Sequence, residues 1–68
     1  MTPADLKSIR QQLGLSGEAF ARMLGYDGTH MRAVMYALEN GIKPIREPQR
    51  RLAIAYRDGY RPDDWPSP

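Results

Sequence analysis

The sequence contains no cysteine, only one histidine and no long apolar run. Disulfides and zinc–thiolate sites are therefore excluded, and one histidine cannot form a metal site without help from carboxylates. No apolar stretch approaches the roughly 20 residues that a membrane-spanning helix needs. Residues 1–5 also lack the basic flank and apolar segment of a signal peptide. These absences predict a cytoplasmic protein that uses no cofactor, crosses no membrane and binds no small-molecule ligand.

Groups suited to catalysis are also scarce. Ser16 is explained as a helix cap, and His30 has only Asp27 at a useful spacing. No third group completes an acid–base arrangement, so we do not expect an enzyme. At 68 residues the chain is expected to form one domain near the lower size limit for independent folding. Without disulfides or a metal, oligomerisation is the expected source of additional stability.

Positive charge is concentrated in one segment of the chain. Residues 1–41 hold equal numbers of acidic and basic side chains, whereas residues 42–61 hold six cationic and two acidic ones. Asp63 and Asp64 follow and bring the net charge to +2. A local basic patch on a small domain suggests a polyanionic partner, although an arginine-rich surface can also be simply solvated.

Start signals, apolar spacing and glycine stops predict the first and last helices. The first begins at residues 2–5, where a threonine cap precedes proline and aspartate, and it ends at Gly14. The last begins at residues 47–48 and ends at Gly59. In the connector before it, Ile42 and Ile45 are expected to pack against the core.

Residues 16–41 contain two further helices joined by a short glycine-containing turn. The earlier helix is capped by Ser16 and is predicted over 16–24. The later one is predicted over about 28–39, with an Asn-Gly stop at 40–41. Two helices joined in this way match the helix-turn-helix pattern, in which the second helix reads DNA.

The later helix of this pair has two different faces. Its core face, recognised by helical spacing, consists of Met31, Val34, Met35 and Leu38. Its outward face and edges supply the residues predicted to read DNA bases: Thr29, His30, Arg32, Ala33 and Tyr36. The simpler interpretation is a solvated helix, but an alanine and a tyrosine make this face less polar than solvent requires.

Four short motifs in order carry a family resemblance: Leu15-Ser16, Phe20-Ala21, Leu24-Gly25 and Leu38-Glu39-Asn40-Gly41. With them, residues 4–58 resemble the lambda-repressor-like (XRE-type) helix-turn-helix family. Together with the predicted helices, this resemblance implies an all-α domain over 1–59 with four helices, or five if a short extra turn forms. A C-terminal tail rich in aromatic residues and proline follows over 60–68.

The chain departs from the family pattern at two places. Gly17 stands where family members usually have a long polar residue that can contact DNA. The distance from Leu24 to Glu39 is also about one helical turn longer than usual. Either the later helix is longer, or Asp27-Gly28 enlarges the turn before it.

The resemblance implies a sequence-specific transcriptional repressor that binds double-stranded DNA as a homodimer on an inverted repeat. At this small size the chain resembles the short repressors of phages and mobile elements, among them anti-CRISPR-associated proteins that silence their own operon. The alternative is a small helical protein-interaction module, such as an antitoxin or adaptor. The aromatic tail and the neutral first 41 residues motivate that alternative.

Two further sets of contacts complete the predicted interface. Phosphate contacts are expected from Ser16, Gly17, Lys43, Arg46, Arg10 and Arg22. Dimer contacts are expected from Tyr56, Tyr60 and Trp65. The alternative for Trp65, given nearly equal weight, is that its ring closes the core of its own monomer.

Overall fold

Four helices and the turns between them account for the chain in a computed structural model, which describes residues 1–66. The helices are α1 Pro3–Leu13, α2 Gly17–Met23, α3 Met31–Glu39 and α4 Glu47–Arg57. No strand occurs in this range, so the predicted all-α class with four helices is confirmed for it. The last two residues of the predicted tail lie outside the described residues.

The start of α1 follows directly from its first residues. The Thr2 hydroxyl accepts a hydrogen bond from the Asp5 backbone N–H at 3.1 Å, and the Asp5 carboxylate accepts one from the Thr2 N–H at 2.9 Å. This reciprocal capping box satisfies two donors that a helix start would otherwise leave unpaired. The hydrogen bonds from Thr2 also lower the pKa of the Asp5 carboxyl. At the other end Gly14 adopts φ +71°, which ends the helix as predicted.

The short helix α2 is also fixed by a local signal and by its neighbour. The Ser16 hydroxyl accepts a hydrogen bond from the Ala19 N–H at 3.1 Å, as expected of an N-cap. A Cβ placed on Gly17 would lie 3.6 Å from side-chain atoms of Met35. This is an ordinary contact distance, so the packing between α2 and α3 leaves room for a methyl group at Gly17.

All four helices contribute to one apolar core. Its buried members are Leu6, Ile9, Phe20, Ala21, Met23, Leu24, Met31, Met35, Leu38, Ala53 and Tyr56. Complete burial of a leucine or phenylalanine side chain stabilises a fold by about 1.5–3 kcal/mol. Three of the four predicted core residues of α3 belong to this set, and Val34 packs against it while partly buried.

Helix α3 begins later than predicted. Gly28 adopts φ +113°, so the chain is still in a turn where the sequence pattern suggested helix. The first helical hydrogen bond runs from the Val34 N–H to the His30 carbonyl, which makes His30 the residue before the helix. Thr29 therefore also precedes α3. The additional residues between α2 and α3 enlarge the turn and do not lengthen the helix.

The connector after α3 differs from the prediction at Ile42. Ile45 packs against the core as expected, but the Ile42 side chain is 71% exposed. Gly41 adopts φ +73°, and the N–H groups of Ile42 and Lys43 both donate to the Ala37 carbonyl. This turn satisfies the end of α3 and leaves Ile42 in solvent.

Residues 60–66 of the C-terminal tail fold back onto their own monomer. The Trp65 ring is partly buried and packs edge-on against the Tyr56 ring, with 5.2 Å between centroids. Tyr56 itself is buried, and its hydroxyl donates to the Met23 carbonyl. Trp65 therefore packs on its own monomer, as its second alternative has it, and Tyr56 lies in the core. The dimer contacts of Tyr56, Tyr60 and Trp65 stay a prediction. Tyr60 remains exposed and stacks on the outer side of Tyr56.

Candidate nucleic-acid interface

The outer side of α3 presents the predicted base-reading residues to solvent. The three residues of the helix itself, Arg32, Ala33 and Tyr36, are all exposed. At 64%, Tyr36 has the largest exposed fraction of the aromatic residues in the described range. Thr29 and His30 are exposed in the turn immediately before the helix. We call these five residues the α3 face. It combines hydrogen-bonding groups, a guanidinium, a methyl group and an aromatic ring on one surface.

The only carboxylate of α3 points away from this face. Glu39 is 8% exposed and accepts two hydrogen bonds from Arg10, at 2.6 Å from Nε and 3.2 Å from Nη2. Arg10 also donates to the Leu15 carbonyl at 3.2 Å. The fork of Arg10 therefore joins α1 to the end of α3 and neutralises Glu39. As a result α3 adds no unpaired negative charge to its exposed face.

This geometry places Arg10 differently from its predicted phosphate contact. All three of its hydrogen bonds are made inside the domain, and only 20% of its side chain is exposed. A guanidinium held by a buried carboxylate has little freedom to bind a phosphate. Arg10 acts here as a structural link that orients α3.

A shallow concavity of about 550 Å³ lies beside the N-terminal part of α3. Glu18 and Arg22 of α2 line one side, and Arg32 and Ala33 line the other. Arg22 donates to Glu18 at 3.0 Å, and both side chains are largely in solvent. An exposed ion pair of this type contributes little to stability, so Arg22 can exchange Glu18 for another anion at small cost.

The basic segment places two cations near the entry to α3 and after its end. The Lys43 ammonium lies 5.1 Å from the centroid of the Tyr26 ring, a cation–π contact. Tyr26 packs against the core in the turn between α2 and α3, so Lys43 lies beside that turn. Arg46 is exposed at the start of α4 and, like Arg32, forms no ion pair with any residue of the described range.

Much of the remaining positive charge of this segment is already paired. Glu47 accepts hydrogen bonds from Arg50 and Arg51, which lower the pKa of its carboxyl to about 2. Arg57 pairs with Asp58 at 3.1 Å. These two carboxylates are already counted in the charge balance of residues 42–61, so the surplus of positive charge remains. Lys43 and Arg46 are the members of this segment that follow α3 directly and form no ion pair within residues 1–66.

Two interactions at this site were not predicted from the sequence. The Arg10–Glu39 link joins residues far apart along the chain, and no local pattern predicts it. The contact of Lys43 with Tyr26 had only a weak signal in the sequence, an aromatic residue directly after Gly25 in the turn that follows α2. Ser16 and Gly17, predicted to bind phosphate, lie at the start of α2 with the Ser16 oxygen already engaged by Ala19.

No helix within residues 1–66 is long and apolar enough to cross a membrane. In the same range, no three histidine, cysteine, aspartate or glutamate side chains lie together in a way that could hold a metal ion. The geometry that remains is a helix face with free cations around it. Comparisons with protein-family models, with curated proteins and with solved structures find no match for this chain.

Proposed function

We propose that this protein is a sequence-specific double-stranded DNA-binding repressor of the helix-turn-helix type. In this proposal α2 and α3 are the two helices of the motif, and α3 enters the major groove. The shared core of α2 and α3, with Phe20 and Ala21 buried beside Met35, supports the assignment of these helices as one rigid unit. The proposal extends to a homodimer that silences its own operon in a phage or mobile element.

The observation that carries the proposal is the separation of charge on α3. Its one carboxylate, Glu39, is buried against Arg10, while Arg32 is exposed without an acidic partner in residues 1–66. The Arg10–Glu39 pair joins α1 to α3, and it also keeps the carboxylate of α3 away from the exposed side of the helix. A helix that approaches a polyanion gains from this arrangement, because phosphates repel carboxylates and attract guanidinium groups.

The contacts proposed for the α3 face follow from the chemistry of the major groove. Arg32 is the best candidate for a bidentate contact to guanine, and Ala33 can meet a thymine methyl group. Thr29, His30 and Tyr36 provide further hydrogen-bonding groups. Because Thr29 and His30 precede the helix, they would lie at its tip, where recognition helices contact base edges.

Phosphate contacts fix the register of such a complex and carry most of its salt dependence. Lys43 and Arg46 follow α3 and are the strongest candidates, together with Arg22 in the concavity beside it. Ser16 and Gly17 stay predicted phosphate contacts at the start of α2. Arg10 is left out of this set because Glu39 holds its guanidinium.

A homodimer would read an inverted repeat whose half-sites lie about one helical turn apart, roughly 34 Å. Tyr60 is the predicted dimer residue that remains at the surface, next to buried Tyr56. Bound across a promoter, such a dimer would repress by blocking access to it. This mechanism needs no cofactor.

The test begins with selection of bound sequences from a random duplex library, followed by fluorescence anisotropy at about 0.15 M salt. We expect a preferred sequence with inverted symmetry, bound about a thousandfold or more tightly than a scrambled duplex. Lys43→Ala should weaken binding to both duplexes and reduce the salt slope by about one. Equal binding to all sequences, or none at this salt, contradicts the proposal.

A second candidate is a protein-interaction module such as an antitoxin or adaptor. The apolar side chains of Ile42 and Tyr36 favour it, because they lie on or next to α3 and are largely exposed. If a stable complex with another protein forms and DNA binding disappears at physiological salt, this second candidate replaces the first.

A further inference from the structure

The described part of the C-terminal tail has a defined course on the domain surface. Residues 60–66, which we call the strap, are held by an Arg61 guanidinium that donates to the Tyr56 carbonyl at 2.8 Å. The same guanidinium lies 4.3 Å from the centroid of the Trp65 ring. The backbone N–H of Trp65 donates to the Pro62 carbonyl at 3.0 Å, and the Trp65 ring packs on Tyr56. Backbone and aromatic contacts together fix where the strap lies.

The strap brings negative charge against α2. Asp64 and Pro66 line a second concavity, together with Glu18 and Arg22. Glu18 and Arg22 also line the concavity beside α3. The Glu18–Arg22 ion pair is therefore shared by the two depressions, with the α3 face on one side and the strap on the other.

The position of Asp64 opposes the interaction that Arg22 would make with DNA. Arg22 uses one guanidinium nitrogen for Glu18, so a phosphate that approaches from the α3 side shares or competes for this guanidinium. The carboxylate of Asp64 lines the concavity on the other side of the same pair without forming an ion pair with Arg22. Charges within a Debye length of about 10 Å at 0.1 M salt interact without full screening. Asp63 carries the same charge on the same strap but does not line the second concavity.

We infer that the strap is an electrostatic brake on DNA binding, in which the carboxylate of Asp64, beside the Glu18–Arg22 pair, weakens the attraction of Arg22 for the DNA backbone. This inference depends on the proposed function. The strap limits the affinity of the α3 surface for any duplex, specific or not, because its effect acts on a phosphate contact. Sequence preference stays with the α3 face.

The matched variants are Asp64→Asn and Asp63→Asn, which remove the same charge from neighbouring positions. Anisotropy measurements with one labelled duplex at about 0.05 M salt should show a gain of roughly three- to tenfold in affinity for Asp64→Asn. Asp63→Asn should give a clearly smaller gain. The difference should vanish near 0.5 M salt, where screening is strong, and matching thermal melts confirm that both variants are folded.

The Arg22→Ala background completes the test. Asp64→Asn should give little gain in DNA affinity there, because the cation whose attraction Asp64 weakens is absent. Equal gains in affinity from Asp63→Asn and Asp64→Asn, or a gain that persists without Arg22, would contradict the electrostatic brake and leave the proposed function intact. If the wild-type protein binds no duplex at any salt concentration, both the proposed function and the electrostatic brake are wrong.

Discussion

Replacement of Glu39 by glutamine tests the link that orients α3. The Glu39 side chain is 8% exposed and accepts two hydrogen bonds from Arg10, itself 20% exposed. Breaking a fully buried ion pair from one side costs about 3–5 kcal/mol. Some solvent reaches Arg10 and glutamine keeps one acceptor, so we expect Glu39→Gln to lower the free energy of unfolding by about 2–3 kcal/mol.

The matched control is Glu18→Gln, which removes the same charge from an exposed pair. Arg22 and Glu18 are 60% and 47% exposed, so this change should cost less than about 0.5 kcal/mol. Urea denaturation followed by circular dichroism gives both values. Because small domains are stable by about 5 kcal/mol or more, the Glu39 variant should stay folded but lose a large part of its stability. Equal losses in the two variants would refute the view that burial of this pair organises the domain.

Three further predictions concern α4, α2 and the strap. The pKa of Glu47, lowered to about 2 from 4.5 by Arg50 and Arg51, means that ionised Glu47 stabilises α4 fully above about pH 4.5 and that this contribution is lost as the pH falls through about 2. Glu47→Gln should therefore lower the melting temperature near neutral pH but not at about pH 2, and a side-chain NMR titration of the wild type should find the low pKa; an unshifted titration contradicts this. Gly17→Ala should raise stability by about 0.4–1 kcal/mol in thermal melts, since the new methyl group meets Met35 at ordinary contact distance; a loss of stability would show that the packing has no room. Trp65→Ala should lower the free energy of unfolding by about 2 kcal/mol, less than the roughly 3–5 kcal/mol of a fully buried ring. A variant that keeps its stability in thermal melts but is a monomer in light scattering would instead assign Trp65 to a dimer interface.

The parts of the fold that the sequence predicts are those determined by residues close together in the chain. The capping box of Thr2 and Asp5, the Ser16 cap and the Gly14 stop need only a few neighbouring residues, and all three are present. The core stripe of α3 follows from helical spacing alone. The start of α3 was missed because Gly28 extends the turn, and spacing patterns do not register a positive φ.

The parts that could not be predicted depend on contacts between distant segments. Whether Ile42 is buried depends on how the turn after α3 is oriented, not on its apolar character. Whether Trp65 packs on the monomer depends on the Tyr56 ring, whose hydroxyl is bound to the Met23 carbonyl of α2. Arg10 looked like a free cation in the sequence because its partner, Glu39, lies 29 positions away.

The most direct test of the central proposal compares Arg32→Ala with Arg51→Ala on a selected operator and on a scrambled duplex of equal length. Both changes remove one exposed guanidinium, but Arg51 lies on α4, 76% exposed and away from the α3 face. We predict that Arg32→Ala weakens operator binding about 5- to 150-fold, equivalent to about 1–3 kcal/mol, and relaxes the preference at one base pair. Arg51→Ala should change binding to both duplexes slightly and equally. If the two variants have the same effect on the operator, α3 does not read DNA.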